Sequence, residues 1–229
     1  LRVTFTDIGK TKVLKISSIN CNDSISIEKT LNSFLFPIYS RGFIAASIDS
    51  FSCDSTNIFA FGNMGVKYRW VNLLPDGSSK NVLSEVGINL DKLSGKPVNP
   101  KLFVRYINSS IGNLEDNGFP FARASLSSVS IDKNSVSALL GINKGSRIVI
   151  DTVYLKGNAK ITSRKLMALI NLKKGELYSE SKIKRIDQRL KQQQYLSIIK
   201  PSEIEFLNHK ARVYCYQNNR PSSRFWGLA

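Results

Sequence analysis

Between Ile148 and Gln217 the spacing of apolar positions switches from two to about three and a half, then back to two. Val149, Ile150, Val153, Tyr154 and Leu155 are β-branched, aromatic or aliphatic and predict a strand over 148–155 that stops at Gly157-Asn158. Leu166, Met167, Leu169 and Ile170 predict a helix capped by Thr162 or Ser163 and ended by Lys173-Lys174-Gly175. Ile183, Ile186 and Leu190 recur at i, i+3 and i+7 and predict a second helix, capped by Ser179 or Ser181. Its water-facing side carries Lys182, Lys184, Arg185, Arg189 and Lys191. Two strands follow, 197–207 and 211–217, joined at Asn208-His209-Lys210 as a hairpin. The whole is a β-α-α-β-β unit.

The same order recurs upstream. Arg41-Gly42-Phe43, Asn117-Gly118-Phe119 and Gln194-Tyr195-Leu196 each follow a helical stretch and open a strand. Gly42, Gly118 and Gln194 stand 76 residues apart. Unit one is then 1–65. It has a first strand over 13–19 and a helix within 25–39 carrying Ile27, Leu31, Phe34 and Leu35 on one face. Pro37 is expected to kink or shorten that helix. Strands over 43–52 and 58–62 complete the unit, and residues 1–12 read as an extra strand. Unit two is 66–147, with a strand over 67–74, a Pro75-Asp76-Gly77 turn and at most one short helix near 82–86. Its main helix starts with Asn99 as cap and Pro100 as first residue, and presents Leu102, Tyr106, Ile107, Ile111 and Leu114. A hairpin over 121–131 and 135–142 closes it. Unit three is 148–217, and 218–229 is a tail. The expected fold class is α+β: tandem β-α-α-β-β units, each a three-stranded mixed sheet covered on one face by two helices.

Composition narrows the function. Units of about 70 to 80 residues have small cores and lean on their neighbours. The net charge of +16 implies an acidic partner or surface, and the cationic surplus is largest in 148–217. The first residue is Leu, which reads as a trimmed or processed fragment, and no apolar run is long enough for a membrane-spanning helix. Cys21 and Cys53 fall in one unit and are either a disulfide, in an oxidising compartment, or two buried thiols. Cys215 reads as a small core residue. No catalytic constellation, metal-ligand spacing or phosphate-binding loop occurs, so neither a cofactor nor a metal is expected. His209 reads as a turn residue and Glu115-Asp116 as a polar helix end.

The run from Val153 to Leu196 resembles a POTRA domain, a periplasmic module of the BamA-like outer-membrane assembly and secretion family. Gly157-Asn158 after the first strand, Lys173-Lys174-Gly175-Glu176-Leu177-Tyr178 between the helices and Tyr195 before the second strand carry the likeness. Where the family often has Gly before that aromatic, this chain has Gln194. The resemblance implies a non-enzymatic part of an outer-membrane assembly or translocation factor, on the periplasmic face of a Gram-negative outer membrane. It implies that unfolded outer-membrane or secreted clients add a strand to the second strand of each unit. The client-binding positions are then Phe43, Ala45, Ser47 and Asp49, and Phe121, Arg123, Ser125 and Ser127; Pro201 is expected to blunt the third edge. Further expected partners are accessory assembly proteins and the chain's own C-terminal β-barrel, begun by Arg224-Phe225-Trp226-Gly227. Anionic lipid is another, facing the basic helix of unit three. Nucleic acid is disfavoured, because RNP-type aromatics and zinc-finger spacings are missing. The competing readings are a basic nucleic-acid-binding protein of small α+β modules and a free-standing POTRA-like module without a barrel.

Overall fold

A computed structural model of the chain describes residues 2–7, 10–15, 24–53, 58–77 and 79–220. The elements are β1 (Arg2–Asp7), β2 (Lys10–Lys15), α1 (Ser24–Tyr39), β3 (Ser47–Cys53), β4 (Ile58–Asn63) and β5 (Arg69–Pro75). Then come α2 (Lys80–Glu85), a 3-10 turn at Leu90–Lys92, α3 (Pro100–Asp116), β6 (Arg123–Asp132) and β7 (Ser135–Asn143). The last part holds β8 (Val149–Lys156), α4 (Ser163–Ile170), α5 (Glu180–Lys184), α6 (Ile186–Lys191), β9 (Leu196–Leu207) and β10 (Lys210–Asn219). The chain forms two compact units, Leu1–Asn108 with Ser125–Gly141, and Ser109–Ala124 with Ile142–Ala229.

The architecture is α+β with three mixed sheets, in the orders β2-β1-β4-β3, β5-β7-β6 and β8-β10-β9. In the first and third, the last strand lies inside, parallel to one neighbour and antiparallel to the other. Two sheets have three strands; the first has four. The strand that runs parallel to β4 is β1, not the expected 13–19 segment, and β2 folds back on β1 as a hairpin. Val3, Phe5, Val13 and Leu14 give both segments strand character, so alternation alone does not say which of them meets β4.

Helix α1 also departs from expectation. It continues through Pro37 to Tyr39. Proline has no amide to donate one turn back, and the helix end is closed at Ser40, whose amide and hydroxyl both donate to the Phe36 carbonyl, at 3.0 and 2.9 Å. Ile27, Leu31, Leu35 and Ile38 are buried over Ala46 and Ala60. In α3, Asn99 caps as expected, accepting from the Leu102 amide at 2.9 Å, and Ile107 and Leu114 are buried; Leu102 is instead exposed.

The third sheet has the largest described core. Ala211, Val213 and Cys215 on β10 face Leu166 and Ile170 of α4 and Ile186 and Leu190 of α6. Burial pushes the Cys215 thiol up to about 11, as befits a small core residue. Thr162 and Ser179 cap α4 and α5. The first of these helices ends at Asn171, in the left-handed region at φ 57°, two residues before the expected Lys173-Lys174-Gly175 stop. The second helix is broken at Arg185 into α5 and α6.

Two corners, 76 residues apart, are built alike. Gly42 has φ +98° and its carbonyl accepts from the Tyr68 amide at 2.8 Å. Gly118 has φ +95° and its carbonyl accepts from the Ile148 amide at 2.7 Å. At both, an added Cβ would press on the carbonyl of the residue donating that bond, so the glycines are required by close approach as well as by φ. The start of a later helix is tied back to each corner, α3 to the first and α5 to the second. Asn99 Nδ2 donates to the Ser40 carbonyl at 2.9 Å. Asp116 Oδ1 accepts from the Ser179 hydroxyl and the Ser181 amide, both at 2.8 Å.

Asp116 makes the second corner acid-sensitive. Burial alone would raise its carboxyl. The Ser181 amide, the Ser179 and Ser181 hydroxyls and the Arg185 charge outweigh that and hold it below its ordinary value. A carboxyl lowered on folding stabilises fully above the ordinary carboxylate range and loses that contribution as pH falls through the depressed value. Asp116→Asn is therefore expected to flatten the fall in melting temperature between about pH 5 and about pH 3, where carboxylates titrate. An unchanged acid slope would mean the corner does not depend on this charge.

Candidate strand-pairing edges

Each sheet has two edges, and the fold treats them differently. On β5, the Trp70 amide donates to the Lys96 carbonyl at 3.0 Å, and the Gly95 amide donates to the Trp70 carbonyl at 2.7 Å. The same pair recurs on β8, between Ile150 and the 175–176 segment, at 2.8 and 2.7 Å. The linkers before α3 and α5 thus occupy the first part of these edges. Strand β9 is blunted in another way. Pro201 and Ser202 together face Cys215, so the strand bulges there, and both Asp187 carboxylate oxygens take the Ser202 amide at 3.2 Å.

The remaining edges, β2, β3 and β6, make no backbone hydrogen bond outside their own sheets among the described residues, and the last two are the expected pairing strands. Strand β3 is bulged at Asp49, which has no partner on β4. The bulge shifts the alternation. Ile48 pairs with Gly62 and Phe51 with Ala60, so these two apolar residues, three apart in sequence, share one face. That face looks into a groove of about 540 Å³ beside α1, lined by Glu28, Leu31, Asn32, Ile48, Asp49, Ser50 and Phe51. Strand β6 is exposed over nearly its whole length. Leu126, Val129 and Ile131 are open to solvent, with Ser128 at φ 49° between the first two.

Of the expected pairing residues, Ser47 and Asp49 lie on β3, and Arg123, Ser125 and Ser127 on β6. Phe43, Ala45 and Phe121 do not lie on strands; they belong to the turns that precede them. Phe43 packs against the first core, and the Phe121 ring meets Phe206 edge-on at 4.9 Å. Each turn is closed by an amide three residues on, Ala46 to the Phe43 carbonyl and Ala122 to the Phe119 carbonyl. Sequence reasoning missed Glu28, Leu31 and Asn32 on the helical wall, and Phe51. The signal for Phe51 was its three-residue separation from Ile48, which two-residue alternation discards.

The five basic residues of the third unit have unequal roles. Lys182 pairs with Glu176 at 2.8 Å and Lys184 with Glu180 at 3.2 Å. Arg189 donates to the Ile170 carbonyl at 2.8 Å, closing the end of α4. Arg185 and Lys191 are exposed, and Arg185 acts on Asp116. The outer face of this sheet is linked within itself. Tyr214 and Tyr216 donate to Glu205 and Glu203, Arg212 reaches Asp151 at 3.2 Å, and Tyr154 stacks on Tyr214 at 5.1 Å. His209 is exposed in the β9–β10 turn beside Asn208, both at positive φ. Cys21, the side chain of Cys53 and the tail from Pro221 onward lie outside the described residues, so the disulfide and barrel-start expectations are not addressed by the fold. Among the described residues no helix is long and apolar enough to cross a membrane, which says nothing of a β-barrel.

Comparison with known proteins places this geometry. The family described as POTRA, surface antigen variable number repeat, matches residues 148–216. No curated protein matches the chain by sequence. Among solved structures, POTRA domains 3–5 of BamA from Haemophilus influenzae align with 93% of this chain and 93% of their own length, at 15% identity and a TM-score of 0.59. BamA from Haemophilus ducreyi lacking POTRA domains 1–3 aligns with 68% of this chain at 14% identity and a TM-score of 0.52. This chain spans 30% of that protein. At such identities the likeness is one of fold.

Proposed function

We propose, from the premise that residues 148–216 are a POTRA domain within a chain of BamA-like POTRA fold, that the protein is a non-enzymatic periplasmic binding region. It serves an outer-membrane protein assembly or translocation factor and holds unfolded β-barrel clients by strand addition. Three modules, 1–65, 66–147 and 148–217, divide the work. The first two present the edges β3 and β6. The third, with β8 partly covered and β9 bulged, is the scaffold nearest the membrane and its own barrel. Accessory assembly proteins are further partners.

The observation that carries this reading is the groove beside β3. A strand added there gains backbone hydrogen bonds from an edge with unused donors and acceptors, and sets alternate side chains against Ile48, Phe51 and Leu31. Main-chain bonding is indifferent to sequence, which suits clients that share alternation and little else. The test is photo-crosslinking from position 48, on the same face, to an unfolded outer-membrane protein, combined with Ser50→Pro and Phe51→Pro made separately. Adjacent amides on a strand point in opposite directions, so one proline blocks the outer edge and the other breaks the β3–β4 ladder. The variant that keeps its circular dichroism is expected to lose crosslinking. Full crosslinking in a folded proline variant at position 50 or 51 would remove strand addition at that edge.

A further inference from the structure

A second surface, formed without any strand residue, lies between the end of α1 and the start of α3. Phe36, Tyr39, Ser40, Pro100, Lys101 and Val104 line a groove of about 520 Å³, within the range of ligand-holding clefts. Phe36 is 63% and Val104 52% exposed, so two large apolar side chains stand in water at its rim. The walls are held in place. Asn99 bonds the Ser40 carbonyl, Tyr68 bonds Gly42, and Phe36 and Tyr39 pack edge to face at 6.5 Å.

The charge around this apolar strip has one sign. From Lys29 to Ile48 and from Lys92 to Asn108 the sequence contains no Asp or Glu. Arg41 follows Ser40 directly on one wall; Lys101 and Arg105 stand one turn apart on the other. All three are exposed and have no acidic partner among the described residues. The helix end does not offset the bias. At the α1 terminus the Phe36, Ile38, Tyr39 and Ser40 carbonyls already accept hydrogen bonds, which quenches its negative end.

We infer that this groove is a docking site for an acidic protein segment that inserts one aromatic or large aliphatic side chain between Phe36 and Val104 and places carboxylates on both sides of it. Cations on both walls call for negative charge on both flanks of the anchor. A peptide supplies that, whereas an anionic lipid carries its charge at one end of an acyl chain. The apolar anchor provides affinity and the flanking charges provide approach rate and orientation. This surface is independent of strand addition.

The test uses the 229-residue chain and three labelled synthetic peptides: Asp-Glu-Trp-Glu-Asp, Lys-Lys-Trp-Lys-Lys and Asp-Glu-Ala-Glu-Asp, followed by NMR and fluorescence polarisation. The acidic tryptophan peptide is expected to shift the Val104 methyl and Phe36 ring signals and to bind at least about tenfold more tightly than either control, in keeping with one hot-spot contact. Phe36→Ala and the double variant K101E/R105E are each expected to weaken it about tenfold, with circular dichroism unchanged because these side chains are exposed. Equal binding of the acidic and basic peptides, or signal changes confined to other residues, overturns the proposal. So does perturbation of Phe36 and Val104 by phosphatidylglycerol vesicles and not by the acidic peptide, which would assign the groove to lipid.

Discussion

Gly157→Val is expected to leave residues 148–220 unable to fold. Gly157 ends β8 at φ +109°, where side chains other than glycine are strained by about 1–3 kcal/mol. A Cβ there would stand 2.2 Å from the Gln217 carbonyl oxygen, 2.8 Å from Ile199 Cδ1 and 3.0 Å from Asn218 Oδ1. The carbonyl has no room to retreat. It accepts from the Ala159 amide at 3.2 Å, and its strand is held to β8 one residue earlier, at Tyr216 and Lys156. Backbone strain and a backbone clash together reach the range above about 4 kcal/mol that few substitutions attain, against a total stability of about 5–15 kcal/mol for a domain. Gly175→Ala is the control. Gly175 also has positive φ, at +80°, but an added Cβ meets nothing within 4 Å, so strain alone remains. Denaturant unfolding of Gly157→Ala and Gly175→Ala, with Gly157→Val followed by its NMR spectrum, separates clash from strain. Equal losses at 157 and 175 would show that the chain relaxes around the Gln217 carbonyl.

Gln217→Leu is expected to act in the opposite direction and stabilise the same unit. Gln217 is 0% exposed and completes the buried row Ala211, Val213, Cys215 on β10. Neither Nε2 nor Oε1 has a hydrogen-bond partner among the described residues. An amide taken out of water without a partner costs about 1–3 kcal/mol, and leucine has nearly the same bulk with no polar group to satisfy. A gain of about that size, read as a rise of several degrees in melting temperature, is the expected result. A loss would mean that the amide is bonded in solution.

How much of this was legible beforehand depends on the range of the forces involved. The third unit was readable almost residue by residue. Its strands alternate, its helices repeat Ile183, Ile186 and Leu190, and its caps at Thr162 and Ser179 act within three residues of themselves. The recurrence of Gly42 and Gly118 was visible as a spacing, and the fold supplies its reason in the Tyr68 and Ile148 amides that each glycine carbonyl receives. Pro37 misled because the rule against proline in a helix is local, whereas the burial of Ile38 on the first core holds the last turn in place.

The candidate binding surfaces divide along the same line. That β3 and β6 are strands follows from residue type and alternation, which the chain carries within a few neighbours. That they are open edges, while β5 and β8 are partly covered and β9 is bulged against Asp187, depends on partners 15 to 26 residues away. The Asp49 bulge is a property of pairing: only β4, by leaving Asp49 without a partner, turns Ile48 and Phe51 to one side. The sequence by itself determined the α+β units, their caps, the glycine corners and the cationic balance, because propensity, turn chemistry and charge act locally or are simply summed. Which edges stay open, and which apolar residues line a groove, were decided by tertiary structure, because accessibility belongs to the packed chain and not to any single stretch of it.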